Sequence, residues 1–119
     1  MILPTLLLAQ STYVSSSNVL YRYTDDLQRE EIAFYEKETQ LVIDLAGKTA
    51  ILESANTRET YTILTVDEFQ MESGIIYKYD IASEDGEVKK LEINTQKKVF
   101  IIKPKEIKSG ETSRKYSIN

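Results

Sequence analysis

The chain echoes itself. Leu41-Val42-Ile43-Asp44-Leu45-Ala46-Gly47-Lys48-Thr49-Ala50-Ile51-Leu52 returns, loosely, as Leu91-Glu92-Ile93-Asn94-Thr95-Gln96-Lys97-Lys98-Val99-Phe100-Ile101-Ile102. Both copies read Leu-x-Ile-Asp/Asn, three residues, Lys, two residues, Ile. Each is followed by a Tyr-x-Ile, at Tyr61-Thr62-Ile63 and at Tyr116-Ser117-Ile118. Two alternating apolar runs joined by a short polar turn make a β-hairpin, so one hairpin design is used twice. Asp44 and Asn94 occupy matching places, and an Asx side chain there bonds nearby backbone at the turn. Gly47 is free to take positive φ in the first copy.

The rest of the chain follows the same period. Val19, Tyr21 and Tyr23 alternate with polar neighbours, which suits a strand from Thr12 to Thr24. Thr60 to Glu68 alternates again, and Ile75, Tyr77, Tyr79 and Ile81 form the cleanest alternation in the sequence. Asp85-Gly86 is a strong hairpin signal, and Pro104 stops a run because it cannot donate to a ladder. Residues 27–38 are ambiguous. Leu27, Glu31, Phe34 and Glu38 have helical spacing, yet Ile32, Phe34 and Tyr35 lead into a strand, and we expect a strand near 32–37. Turns recur every 8–12 residues, the spacing of an antiparallel sandwich or barrel. The expected fold is all-β: an antiparallel meander of about eight strands, curled into a small barrel or strongly curved sheet that limits its exposed edges.

The 119 residues suit a single domain. Residues 1–10 are apolar and turn polar at Ser11. They read as the remnant of a signal peptide with its basic start missing, or as an apolar first element of the fold; residues 11–119 form the β-domain. On the first reading the protein is periplasmic or secreted, on the second cytoplasmic. No stretch reaches the ~18 apolar residues of a membrane helix.

The chain contains no histidine and no cysteine. Ser-His and Cys-His nucleophiles are therefore excluded within it, together with thiolate metal sites. Paired carboxylates are the only catalytic material: Asp25-Asp26, Glu30-Glu31, Asp67-Glu68 and Glu84-Asp85. Adjacent residues on a strand point to opposite faces, so no pair frames a substrate by itself. No enzyme activity and no cofactor are expected.

Two binding surfaces remain. Tyr21, Tyr23, Tyr61, Tyr77 and Tyr79 sit at one parity of their strands. If that parity faces inward, they fill the core or line a cavity for a small apolar or glycan ligand. Charge supplies the second surface. The net charge is −4, but residues up to Glu87 balance to −10 (6 basic, 16 acidic) and those from Val88 onward to +6 (9 basic, 3 acidic). Lys89, Lys90, Lys97, Lys98, Lys103, Lys105 and Lys108 could dock a protein partner, as in an inhibitor, an immunity protein or a phage or cell-surface component. Alternatively, they lie beside acidic strands and are neutralised there. Few aromatics accompany these lysines, which disfavours nucleic acid.

In this order, Tyr35-Glu36-Lys37, Leu41-Val42-Ile43-Asp44-Leu45, a return strand, Tyr61-Thr62-Ile63, and Ser83-Glu84-Asp85-Gly86 before a second Ile-Asn hairpin resemble small β-rich proteins of Bacteroidetes and their mobile elements. The start Leu6-Leu7-Leu8-Ala9-Gln10-Ser11 is similar to signal ends of secreted members. A lipocalin-like member of such a group would hold a ligand in its barrel. No functional residue carries over from this resemblance, and the Gly-x-Trp of true lipocalins is absent.

Overall fold

Alternation becomes pairing in the computed structural model, which describes residues 10–119; the apolar segment 1–10, apart from Gln10, lies outside the described residues. Nine strands follow in order: β1 (Gln10–Tyr23), β2 (Arg29–Tyr35), β3 (Thr39–Asp44), β4 (Thr49–Ser54), β5 (Arg58–Gln70), β6 (Ile75–Ala82), β7 (Val88–Asn94), β8 (Val99–Pro104) and β9 (Thr112–Ile118). From β3 to β9 each strand pairs antiparallel with the next, and β1 closes the ring by pairing with both β9 and β3. The result is an eight-stranded meander barrel with one extra strand, β2, on the edge of β1. No helix among the described residues is long and apolar enough to cross a membrane.

The region with helical spacing is a strand. Leu27 adopts φ 60° in the turn after β1, where its N–H bonds the Thr24 carbonyl at 2.9 Å. A helix cannot run through a left-handed residue, and the backbone of 29–35 instead satisfies the open edge of β1. The strand begins three residues earlier than 32 and ends before Lys37.

The sequence echo is an echo of structure. Asp44 Oδ1 accepts the Gly47 N–H at 3.0 Å, and Asn94 Oδ1 accepts the Lys97 N–H at 2.9 Å. Ile63 N–H donates to the Lys48 carbonyl and Ile118 N–H to the Lys98 carbonyl, both at 2.8 Å. The left-handed residue of the turn is Lys48 in one copy and Lys98 in the other, each at φ 55°. Gly47 therefore does not supply the positive φ expected of it. The turn kinks one residue later, after the Asx side chain has fixed the Gly47 N–H. Gly86 does turn left-handed, at φ 89°.

The repeat reaches further than the sequence suggests. Leu41 opposes Tyr13 on β1 as Leu91 opposes Tyr79 on β6. β1-β3-β4-β5 thus matches β6-β7-β8-β9 around the barrel, and the first half differs in chain order only by the insertion of β2 between β1 and β3.

The interior is filled by inward residues of both copies: Leu41, Ile43, Ala50, Ile63, Ile81, Leu91, Ile93 and Phe100. Each fully buried Leu, Ile or Phe contributes roughly 1.5–3 kcal/mol. This packed half lies toward one end, the base, where the turns at 45–48, 71–74 and 95–98 gather. The opposite end, the mouth, is framed by the connections at 24–28, 55–57, 83–87 and 105–111.

Candidate functional site in the barrel mouth

Toward the mouth the inward positions change from apolar to charged. Glu59 opposes Leu52, Lys89 opposes Ile81 and Pro104, and Arg114 opposes Ile102 and Leu20. Below them Leu52, Tyr61, Ile102 and Tyr116 are buried. Between these layers lies a recess of about 280 Å³. A second recess of about 320 Å³ adjoins it and shares Leu52, Glu59, Arg114 and Tyr116. It opens because β2 pairs only with β1 while β4 stays with β3 and β5. The two edges separate past residue 38, leaving Tyr35 and Lys37 facing Glu53 and Thr57 across a gap.

Three side chains set the chemistry. Arg114 Nη1 donates to Asn18 Oδ1 at 2.6 Å, and the guanidinium lies 5.1 Å above the Tyr35 ring. No carboxylate pairs with Arg114 among the described residues. The Tyr61 hydroxyl donates to Glu59 Oε2. Burial, and next the hydrogen bond to Glu59, push the Tyr61 phenol well above its ordinary range. Tyr116 stacks on Phe100 with ring centroids 4.5 Å apart. Burial pushes Tyr116 up to about 12, the nearby Arg114 charge opposing the rise and the Glu59 charge adding to it. Ser113, in the recess lining, is buried with its hydroxyl unpartnered among the described residues. Glu59, Glu87 and Glu111 and, against them, Lys89 and Arg114 surround the recess, while the Lys103 ammonium turns to Glu92 on the outer face, so the recess carries separated charges of both signs.

The five tyrosines singled out by parity do not converge. Tyr61 lines the recess. Tyr79 is buried at the base with Tyr77 packed beside it, their centroids 6.3 Å apart, and Tyr13 packs against the same core. Burial, then the charges of Tyr13, Tyr77 and Glu68, raise the Tyr79 phenol. Tyr21 and Tyr23 lie on the outer face. Arg29 sits 4.8 Å and Lys115 5.7 Å from the Tyr21 ring centroid. Tyr23 is nevertheless buried there, bordering a shallow recess with Leu27 and Ile107. The cause is a bulge in β1: its partners on β9 shift between Ser15 and Ser17, and a slip of one residue sends every later side chain to the other face. Tyr13 therefore faces in, while Tyr21 and Tyr23 face out.

The lysines divide as well. Lys97 and Lys98 stand in a base turn, and Lys105 and Lys108 in a mouth connection. Lys90 and Lys103 oppose each other on the outer face, neutralised by Asp80 at 3.2 Å and Glu92 at 3.5 Å. Lys89 faces the recess, 3.8 Å from Glu87.

Glu59, Arg114, Asn18 and Tyr116 were not anticipated as site residues. Only Tyr116 carried a signal, through the echoed Tyr-x-Ile that makes it the counterpart of Tyr61. Comparison of the chain with protein-family models, with curated proteins and with solved structures finds no match.

Proposed function

We propose that the protein is a non-enzymatic binding module that holds one small polar ligand, such as a glycan unit, in the recess at the barrel mouth. The observation that carries this reading is the change along the barrel axis. The base is packed with aliphatic and aromatic side chains, and the mouth leaves about 280 Å³ walled by tyrosine hydroxyls and charges. Ligand sites run from roughly 300 Å³ upward, so this volume suits a single small molecule rather than a long-chain lipid. The polar walls favour a polar ligand over an apolar one. The absence of histidine and cysteine from the sequence supports a role in holding rather than transforming it. The apolar start before Ser11 supports export. A partner docked on the late lysines would have to span both ends of the barrel, which leaves that alternative with less support.

Native mass spectrometry of the protein purified gently from its own host tests the reading. The expected result is an added small mass that is lost on denaturation. It should also be lost from Leu20→Trp, in which the larger side chain occupies the recess. A bare protein at every collision energy, or a mass retained by Leu20→Trp, overturns the proposal.

A further inference from the structure

We infer that the recess recognises a zwitterion of the α-amino-acid class, its carboxylate on Arg114 and its ammonium group on Glu59; this rests on the recess being the ligand site. Arg114 is a half-buried guanidinium held from one side only. Asn18 takes a single N–H at 2.6 Å and Tyr35 covers one face, which leaves the rest of the planar fork for an acceptor. A partly buried charge without a counter-charge is costly. A carboxylate received by two parallel N–H groups is the partner this fork fits best. Glu59 is its counterpart across the recess. One oxygen accepts the Tyr61 hydroxyl, and no cation pairs with the carboxylate among the described residues.

Both residues border the same two recesses, yet they do not meet in an ion pair. Each instead holds a neutral partner, Arg114 the Asn18 carbonyl oxygen and Glu59, exposed at the rim, the Tyr61 hydroxyl. A molecule carrying both charges bridges them. The presence of both signs in the lining points the same way, since separated charges complement a dipole. The volume admits one small molecule of this kind.

The test uses the full ¹⁵N-labelled chain and four probe sets at millimolar concentration. These are the free protein amino acids, their N-acetyl derivatives, their amides, and neutral monosaccharides. The expected result is movement of the Arg114 Nε–H and of the Tyr61 and Tyr116 amides with one or more free amino acids. Blocking either end of the ligand should weaken binding by about tenfold or more, as loss of a charge-assisted contact does. Arg114→Gln and, independently on another strand, Glu59→Gln should each do the same while leaving the remaining spectrum in place. Equal binding of N-acetyl derivatives or amides overturns the zwitterion, as does silence from every free amino acid. Movement of the recess signals by monosaccharides alone overturns it too, but leaves the recess standing as a ligand site.

Discussion

Lys48 and Lys98 bear a backbone cost in their hairpin turns, since each holds φ 55° with a side chain that left-handed backbone disfavours. Glycine adopts that conformation freely. Lys98→Gly should therefore stabilise the fold by about 0.5–1 kcal/mol in denaturant unfolding, and a loss of stability would show that the Lys98 side chain does something the turn needs. The Asx residues beside these lysines were legible from their matching places alone; the exact left-handed position was not, because the sequence offered Gly47 as the obvious candidate. Tyr116 makes a second residue-scale prediction. Burial raises its pKa from 10 to about 12, so the folded state favours the neutral phenol. That stability is fully present below pH 10 and is lost as pH rises toward 12. At about 1.4 kcal/mol per pKa unit the loss is on the order of 2–3 kcal/mol, and Tyr61 and Tyr79 shift in the same direction. Denaturant midpoints should fall steeply above pH 10, together with the onset of tyrosinate absorbance. A midpoint unchanged across that range would contradict the burial of these phenols.

At the scale of the element, β2 and the far half of β5 keep open edges among the described residues, as does the start of β1, whose residues 10–13 pair with β3 alone. β2 pairs with β1 alone, and residues 64–70 of β5 pair with β6 alone. The β5 extension also exposes Leu64, Val66 and Phe69, a composition that invites strand addition from another chain. Asp67 and Glu68 sit in the middle of this edge, and charge at an edge is a common safeguard against such pairing. Replacing both with threonine keeps strand propensity and removes the charge. The double variant should self-associate with rising concentration in sedimentation velocity, relative to the parent, whereas Lys90→Thr on the fully paired β7 should not. Equal behaviour of the two variants would remove the safeguard role. Strands were the legible part of the sequence because period-two alternation is local. The bulge between Ser15 and Ser17 was not, since no local signal in a serine run marks which residue drops out of register. That single slip decided which tyrosines of β1 point inward.

The whole molecule explains why the fold was easier to foresee than the site. Successive hairpins imply a meander, and a meander of this size limits its edges by closing. The site draws Asn18 from β1, Glu59 from β5, Lys89 from β7 and Arg114 from β9, residues that no spacing in the chain links. The two halves share one core, and their layers nearly match: Leu41 with Leu91, Ile43 with Ile93, Leu52 with Ile102, and Tyr61 with Tyr116. One matched pair differs sharply. Ala50 and Phe100 occupy equivalent positions, and both are fully buried. Phe100→Ala alone should cost about 3–5 kcal/mol through the cavity it leaves, and Ala50→Phe alone about 1–3 kcal/mol through overpacking. Together the two changes exchange the halves, placing the large ring on the other side of the same axis among near-identical neighbours. The double variant should therefore lose less than the sum of the singles by more than about 1 kcal/mol in a double-mutant cycle. Recovery should stay incomplete, because Ser15 stands where the other half has Ile81, and the rotated ring meets a hydroxyl in place of an aliphatic wall. Strict additivity would mean that the two halves match in backbone but not in the shape of the space they enclose.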